Sequence, residues 1–184
     1  LVPNWNIYRP QWAPVDIVAL GEAGNHALRL EDGDPFDYCR AVRVFPESRR
    51  LTCAFMVKPA QHDHGRLEIE ITSRRGLRPV RLIFDDGGNL LATGHEWNYR
   101  VCSYKADQWV SVEVKIDLDQ PTWQVAINGT ITKEFQWANE PERLMDGPVS
   151  TVERISFRTG RFRRLGKGII VADKTDYREY PSAL

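Results

Sequence analysis

Glu68 and Glu70 sit two apart in the run Arg66-Leu67-Glu68-Ile69-Glu70-Ile71-Thr72. In an extended chain both carboxylates leave the same side of the strand, about 6.6 Å apart. Glycoside hydrolysis needs two carboxyl groups ~5 to 9 Å apart, so the pair is a candidate acid and nucleophile. With Arg66 beside them and Arg81 on a following run, the same residues also make an ion-paired, solvated sheet face. Gly94-His95-Glu96-Trp97-Asn98-Tyr99-Arg100 has the composition of a sugar platform. A pyranose ring has an apolar face for Trp97 or Tyr99 and a hydroxyl rim for groups such as Arg66, Glu68 and Arg81. Arg158, Arg161, Arg163 and Arg164 cluster around Gly160 and could hold carboxylate or sulfate groups bidentately, as a solvated loop or a docking contact would equally explain.

Metal chemistry is thinner. His62 and His64 converge on one side only if the chain is extended there, and Asp32 and Asp34 in a Gly-Pro loop supply oxygens suited to a structural Ca²⁺. Turn formation explains both groups without an ion, and no other cofactor is written in the chain. Cys39, Cys53 and Cys102 share no C-x-x-C spacing, which excludes a zinc knuckle or redox dithiol and leaves at most one disulfide. Asn128-Gly129-Thr130 matches an N-glycosylation acceptor, but Asn-Gly is also the preferred centre of a tight hairpin.

The elements that must carry these side chains are strands. Val110, Val112, Val114 and Ile116 alternate with Ser111, Glu113, Lys115 and Asp117, and Trp123, Val125 and Ile127 repeat the device before Asn128-Gly129 turns the chain. This register points Trp123 inward, and Trp109 is read with it as core. Further strands are expected at residues 28–30, 51–57, 67–71, 80–84, 90–92, 99–102, 152–157 and 168–172. No apolar stripe at helical spacing is sustained, so the fold expected is all-β, a two-sheet antiparallel β-sandwich. Residues 1–25, with Pro3, Pro10 and Pro14 among Trp5, Tyr8 and Trp12, read as an extended leader outside a domain of residues 26–184. One core suffices for 184 residues. Lys plus Arg equals Asp plus Glu at 25 each, which argues against nucleic acid or an anionic membrane as partner. The chain opens at Leu1 without a Met or a signal pattern, as expected of a piece of a longer polypeptide.

The order of these pieces resembles the concanavalin A-like (laminin G-like) jelly-roll family. The matching segments are Ala27-Leu28-Arg29-Leu30, Leu51 through Phe55-Met56-Val57-Lys58-Pro59, Gln108-Trp109-Val110, the Trp123 to Asn128-Gly129 hairpin, and Val152 to Phe157. The resemblance implies two curved sheets and a member of a group that includes lectin-like sugar binders, glycanases and non-catalytic modules. The glucanases of this fold carry Glu-x-Asp-x-x-Glu, of which this strand lacks the Asp and the third carboxylate.

The reading that follows is a non-catalytic carbohydrate-binding or accessory module of an extracytoplasmic carbohydrate-active protein. Its partners would be a glycan, acidic if the arginines engage it, and a neighbouring catalytic domain. The alternatives are a glycoside hydrolase or polysaccharide lyase using Glu68 and Glu70, and a structural protein-interaction module.

Overall fold

The computed structural model describes residues 4–21, 24–34, 37–94, 98–136, 149–160, 163–165 and 169–171, the last two segments as backbone only. Among them there are fifteen strands and no helix. They are β1 (Trp5–Tyr8), β2 (Val15–Ala19), β3 (His26–Leu30), β4 (Arg40–Ser48), β5 (Arg50–Val57), β6 (Leu67–Thr72), β7 (Val80–Phe84) and β8 (Asn89–Thr93). The remainder are β9 (Asn98–Ser103), β10 (Val110–Asp117), β11 (Thr122–Ile127), β12 (Thr130–Gln136), β13 (Val152–Thr159), β14 (Arg163–Leu165) and β15 (Ile169–Val171).

A seven-stranded sheet runs β1-β4-β13-β6-β7-β8-β9 and a four-stranded sheet runs β12-β11-β10-β5, with small hairpins β2-β3 and β14-β15. Every pairing is antiparallel. The architecture is the expected jelly-roll β-sandwich. Its core lies between the inner faces, where Ile69, Ile71, Leu82 and Phe84 of the large sheet meet Val112, Val114, Ile116, Trp123 and Val125 of the small one. Period-two alternation puts these residues inside and their neighbours outside, which is why the sequence pattern found them.

Two sequence expectations need correction. The segment before residue 26 is not a leader outside the domain. β1 pairs with β4 from Trp5↔Arg43 to Tyr8↔Arg40, and β2 pairs with β3 across the supposed boundary. Ala13, Val15 and Cys39 form a second small core with Ile7, Leu28 and Leu30. β1 is an edge strand of the seven-stranded sheet. Trp109, assigned to the core, is 41% exposed. It lies one residue before β10 begins, and in the alternation of that strand it falls with Ser111 and Glu113 on the outer side.

The hairpin between β11 and β12 forms as its sequence demands. Asn128 and Gly129 have φ of 50° and 80°, and the Asn128 side-chain oxygen accepts a hydrogen bond from the Ser111 N–H at 2.9 Å. Asn128→Ala would keep the left-handed strain and lose that acceptor, for a cost of about 2 kcal/mol. The expected thermal shift is a fall of roughly 4 to 8 °C. Asn128→Gly, which relieves the strain, should fall by less; equal melting of the alanine variant and the parent would show that neither effect matters.

Candidate functional site

The pattern that buries Ile69 and Ile71 drives Glu68, Glu70 and Thr72 to the opposite face of β6. Cross-strand register then decides what stands beside them. Glu70 is opposite Arg81 on β7, while on β13 Arg158 is opposite Glu68 and Ser156 opposite Glu70. Arg66 enters from the residue preceding β6, and Arg78 from the turn preceding β7.

Four guanidiniums thus converge on two carboxylates. One oxygen of Glu68 accepts hydrogen bonds from Arg66 and from Arg81 Nη2 at 2.7 Å, and its other oxygen accepts one from Arg158. Glu70 accepts one from Arg78 Nη1 at 2.9 Å, with Arg81 Nε 3.8 Å away. Glu68 has no exposed surface and Glu70 almost none, whereas the side chains of Arg66, Arg78 and Arg81 are 15%, 23% and 16% exposed. The carboxylates thus form the floor beneath the more exposed side chains of Arg66, Arg78 and Arg81. Arg158 also stacks over the Tyr38 ring at 5.2 Å, and Tyr8, next to Tyr38, donates a hydrogen bond to Asp37 at 2.6 Å. The hydroxyls of Thr72 and Ser156, fully buried on the same face, find no hydrogen-bond partner among the described residues.

Glu68 and Glu70 therefore share a face, as their spacing requires, but that face is not solvated. The physical reason is the number of arginine stems: four long side chains from three directions cover two short ones. Neither glutamate presents an exposed carboxyl: Glu68 is 0% and Glu70 4% exposed beneath the arginines. Among the described residues four guanidiniums stand over these two carboxylates, and planar forks of this kind suit a carboxylate or sulfate bidentately.

The other candidate residues scatter. Arg158 points into the Glu68 network. Arg161 lies outside the described residues, and Arg163 and Arg164 belong to the separate β14-β15 hairpin. Trp97 also lies outside the described residues. Tyr99 is not an exposed platform: it sits on β9 and packs edge-on against Phe135 at 5.6 Å, with the Lys133 ammonium 4.2 Å from its ring centre.

Asp32 receives the Asp34 N–H at 3.0 Å, an Asx turn, and burial pushes its carboxyl up against a hydrogen bond with Thr159. His64 pairs with Asp63 at 2.6 Å on the surface rather than with His62, and that hydrogen bond holds the Asp63 carboxyl down. Among the described residues no group of three or more His, Cys, Asp or Glu is placed to hold a metal ion. All three cysteines are free thiols, and burial pushes Cys39 up to about 11. Sequence reasoning missed Arg78, Thr72 and Ser156. The only trace of Ser156 was its place between Ile155 and Phe157, which assigns it to the outward side of β13.

Two antiparallel sheets with a polar, guanidinium-lined outer face define a lectin-like jelly-roll module. Residues 5–168 match the family model described as sialidase-like, CBM domain, and the chain belongs to that family of carbohydrate-binding-module domains. The likeness to concanavalin A-like proteins thus holds for the fold. A solved sialidase is 30% identical, with 98% of this chain aligned at a TM-score of 0.73, and this chain spans 15% of that sialidase's length. The apo Crh5 transglycosylase shares the fold at 12% identity and a TM-score of 0.55, over 86% of this chain and 64% of its own. No curated protein matches the chain.

Proposed function

We propose that this chain is a non-catalytic carbohydrate-binding accessory module of a larger extracytoplasmic carbohydrate-active protein, and that it takes an acidic glycan on the outer face of the seven-stranded sheet. The observation that carries the reading is the set of four guanidiniums gathered over two carboxylates on that face, with Arg66, Arg78 and Arg81 more exposed than the carboxylates they cover. The family and the small fraction of the sialidase that the chain spans support the accessory role. Arginine forks recognise the planar carboxylate of an acidic sugar by charge and by shape, which a neutral sugar cannot exploit.

The test is calorimetric titration with 3′-sialyllactose against lactose, alongside a reducing-end assay that is expected to find no turnover. Sialyllactose should bind, and binding should weaken steeply as ionic strength rises from about 0.1 to about 1 M, where the screening length falls from ~10 to ~3 Å. Arg78→Ala removes the most accessible of the four forks and should weaken binding about tenfold or more, the usual scale of one charge-assisted hydrogen bond. Equal affinity for lactose, or a flat salt dependence, would remove the acidic-glycan reading.

A further inference from the structure

The outer face of the four-stranded sheet looks away from the guanidinium face, because the two sheets pack through their inner surfaces. It divides along β10. At one end stand exposed Trp109 and Met56, with Ile131, 61% exposed, across the sheet. Met56 is opposite Ser111, and Ala54, Glu113, Ala126 and Ile131 follow one another across the four strands. The small side chains of Ala54, Ser111 and Ala126 leave this strip shallow. At the other end Lys115, Asp117, Thr122, Gln124 and Glu134 line a groove of about 260 Å³. There the Gln124 amide donates to the Glu134 carboxylate at 2.6 Å, and Lys115 pairs with Glu113 at 3.1 Å.

We infer that this face is a second glycan-binding surface, for a neutral oligosaccharide laid along β10 with one pyranose stacked on Trp109 and another in the Gln124–Glu134 groove. The inference goes beyond the proposed function, which concerns the other sheet. Three features favour this occupant. An exposed ring on the same side as Ser111 at one end, with amide and carboxylate groups in a groove at the other, matches a chain of pyranoses, each apolar on its face and hydroxylated at its rim. The central part of a protein–protein interface is depleted of charge, whereas this strip has the Glu113–Lys115 pair at its middle. The groove carries Asp117, Glu134 and Lys115, and Asp117 also pairs with Arg50 at 3.3 Å, so its charges are matched within the protein and leave no cationic excess for the acidic sugar that the opposite face would attract. Trp109 to Lys115 covers ~20 Å of strand, the reach of a short linear chain rather than one sugar.

The experiment titrates the full chain with two neutral tetrasaccharides, cellotetraose and lacto-N-neotetraose, and separately with 3′-sialyllactose. The indole N–H resonance of Trp109 is followed, assigned by its disappearance in Trp109→Ala. At least one neutral tetrasaccharide should shift that resonance saturably and without salt dependence. Affinity should fall tenfold or more in Trp109→Ala and in Gln124→Ala, and partly in Trp109→Phe, while 3′-sialyllactose affinity stays unchanged in all three. Unchanged melting curves would confirm that each variant folds. Neutral sugars that leave the Trp109 resonance still, or that bind Trp109→Ala as they bind the parent, overturn the inference. So does a Trp109-dependent dimer in sedimentation, which would assign the strip to a second copy of the chain. Loss of sialyllactose binding alone would instead count against the proposed function and leave this surface standing.

Discussion

Glu68→Gln is expected to lower the melting temperature by about 10 °C or more, although the substitution is isosteric and removes no buried volume. Three arginines converge on that one carboxylate, and the glutamate has no exposed surface. An amide can accept hydrogen bonds but carries no charge, and it brings an N–H group that faces guanidinium donors. Removing one partner of a buried ion pair typically costs 3 to 5 kcal/mol, because the remaining charge stays out of water without compensation. For a domain of this size each kcal/mol is ~2 to 4 °C. Glu70→Gln should cost less, since Arg78, its nearest partner, retains access to solvent. Thermal denaturation of the two variants beside the parent decides the matter. A Glu68→Gln protein that melts within 2 °C of the parent would show the network to be energetically neutral, as exposed ion pairs usually are. The variant also bears on function: with its floor neutralised, the face gains positive charge, so a folded Glu68→Gln protein should bind 3′-sialyllactose no more weakly than the parent does.

The second large effect lies in the core. Trp123, 1% exposed, stacks on Phe135 with ring centres 4.3 Å apart. It is also opposite Ile116 on β10. Trp123→Ala should destabilise the domain by about 3 to 5 kcal/mol, the range for deleting a large aromatic side chain from a packed interior. Trp123→Phe should do far less damage than its lost volume suggests. The indole N–H finds no acceptor among the described residues, and a buried donor without a partner is itself unfavourable by ~1 to 3 kcal/mol. Phenylalanine removes that donor while keeping an aromatic face against Phe135. Chemical denaturation of the alanine and phenylalanine variants measures both quantities. If the two lose stability equally, the unpaired N–H is not a real cost and the filling of the indole's volume, rather than the stacking contact, explains the effect.

The contrast between Trp123 and Trp109 shows where the sequence was sufficient. Alternation along β10 and β11 placed Val112, Val114, Trp123 and Val125 in the core, and Asn128-Gly129 placed the turn, because a strand's own pleat and a residue's own φ preference settle these questions locally. Trp109 was assigned against the same rule: continued one residue back from Val110, the alternation puts it with Ser111 and Glu113 on the outer side. β4 was missed for a different reason: Arg40, Arg43 and Pro46 break its apolar period, and only the flanking β1 and β13 make it a central strand of the large sheet. The leader segment was misjudged likewise, since its edge pairing with β4 depends on a strand that was itself invisible.

The candidate site divides along the same line. That Glu68 and Glu70 share a face follows from their spacing alone. That Arg158, ninety residues away, and Arg78, from a turn, close over them depends on the register between β6, β7 and β13. A two-residue period says which side of a strand a side chain leaves. It does not say which strand lies beside it or how many long side chains arrive from there. Whether a carboxylate is solvated or buried under guanidiniums is set by those non-local neighbours, so tertiary structure alone turned a pair of apparent surface glutamates into the floor of a cationic face.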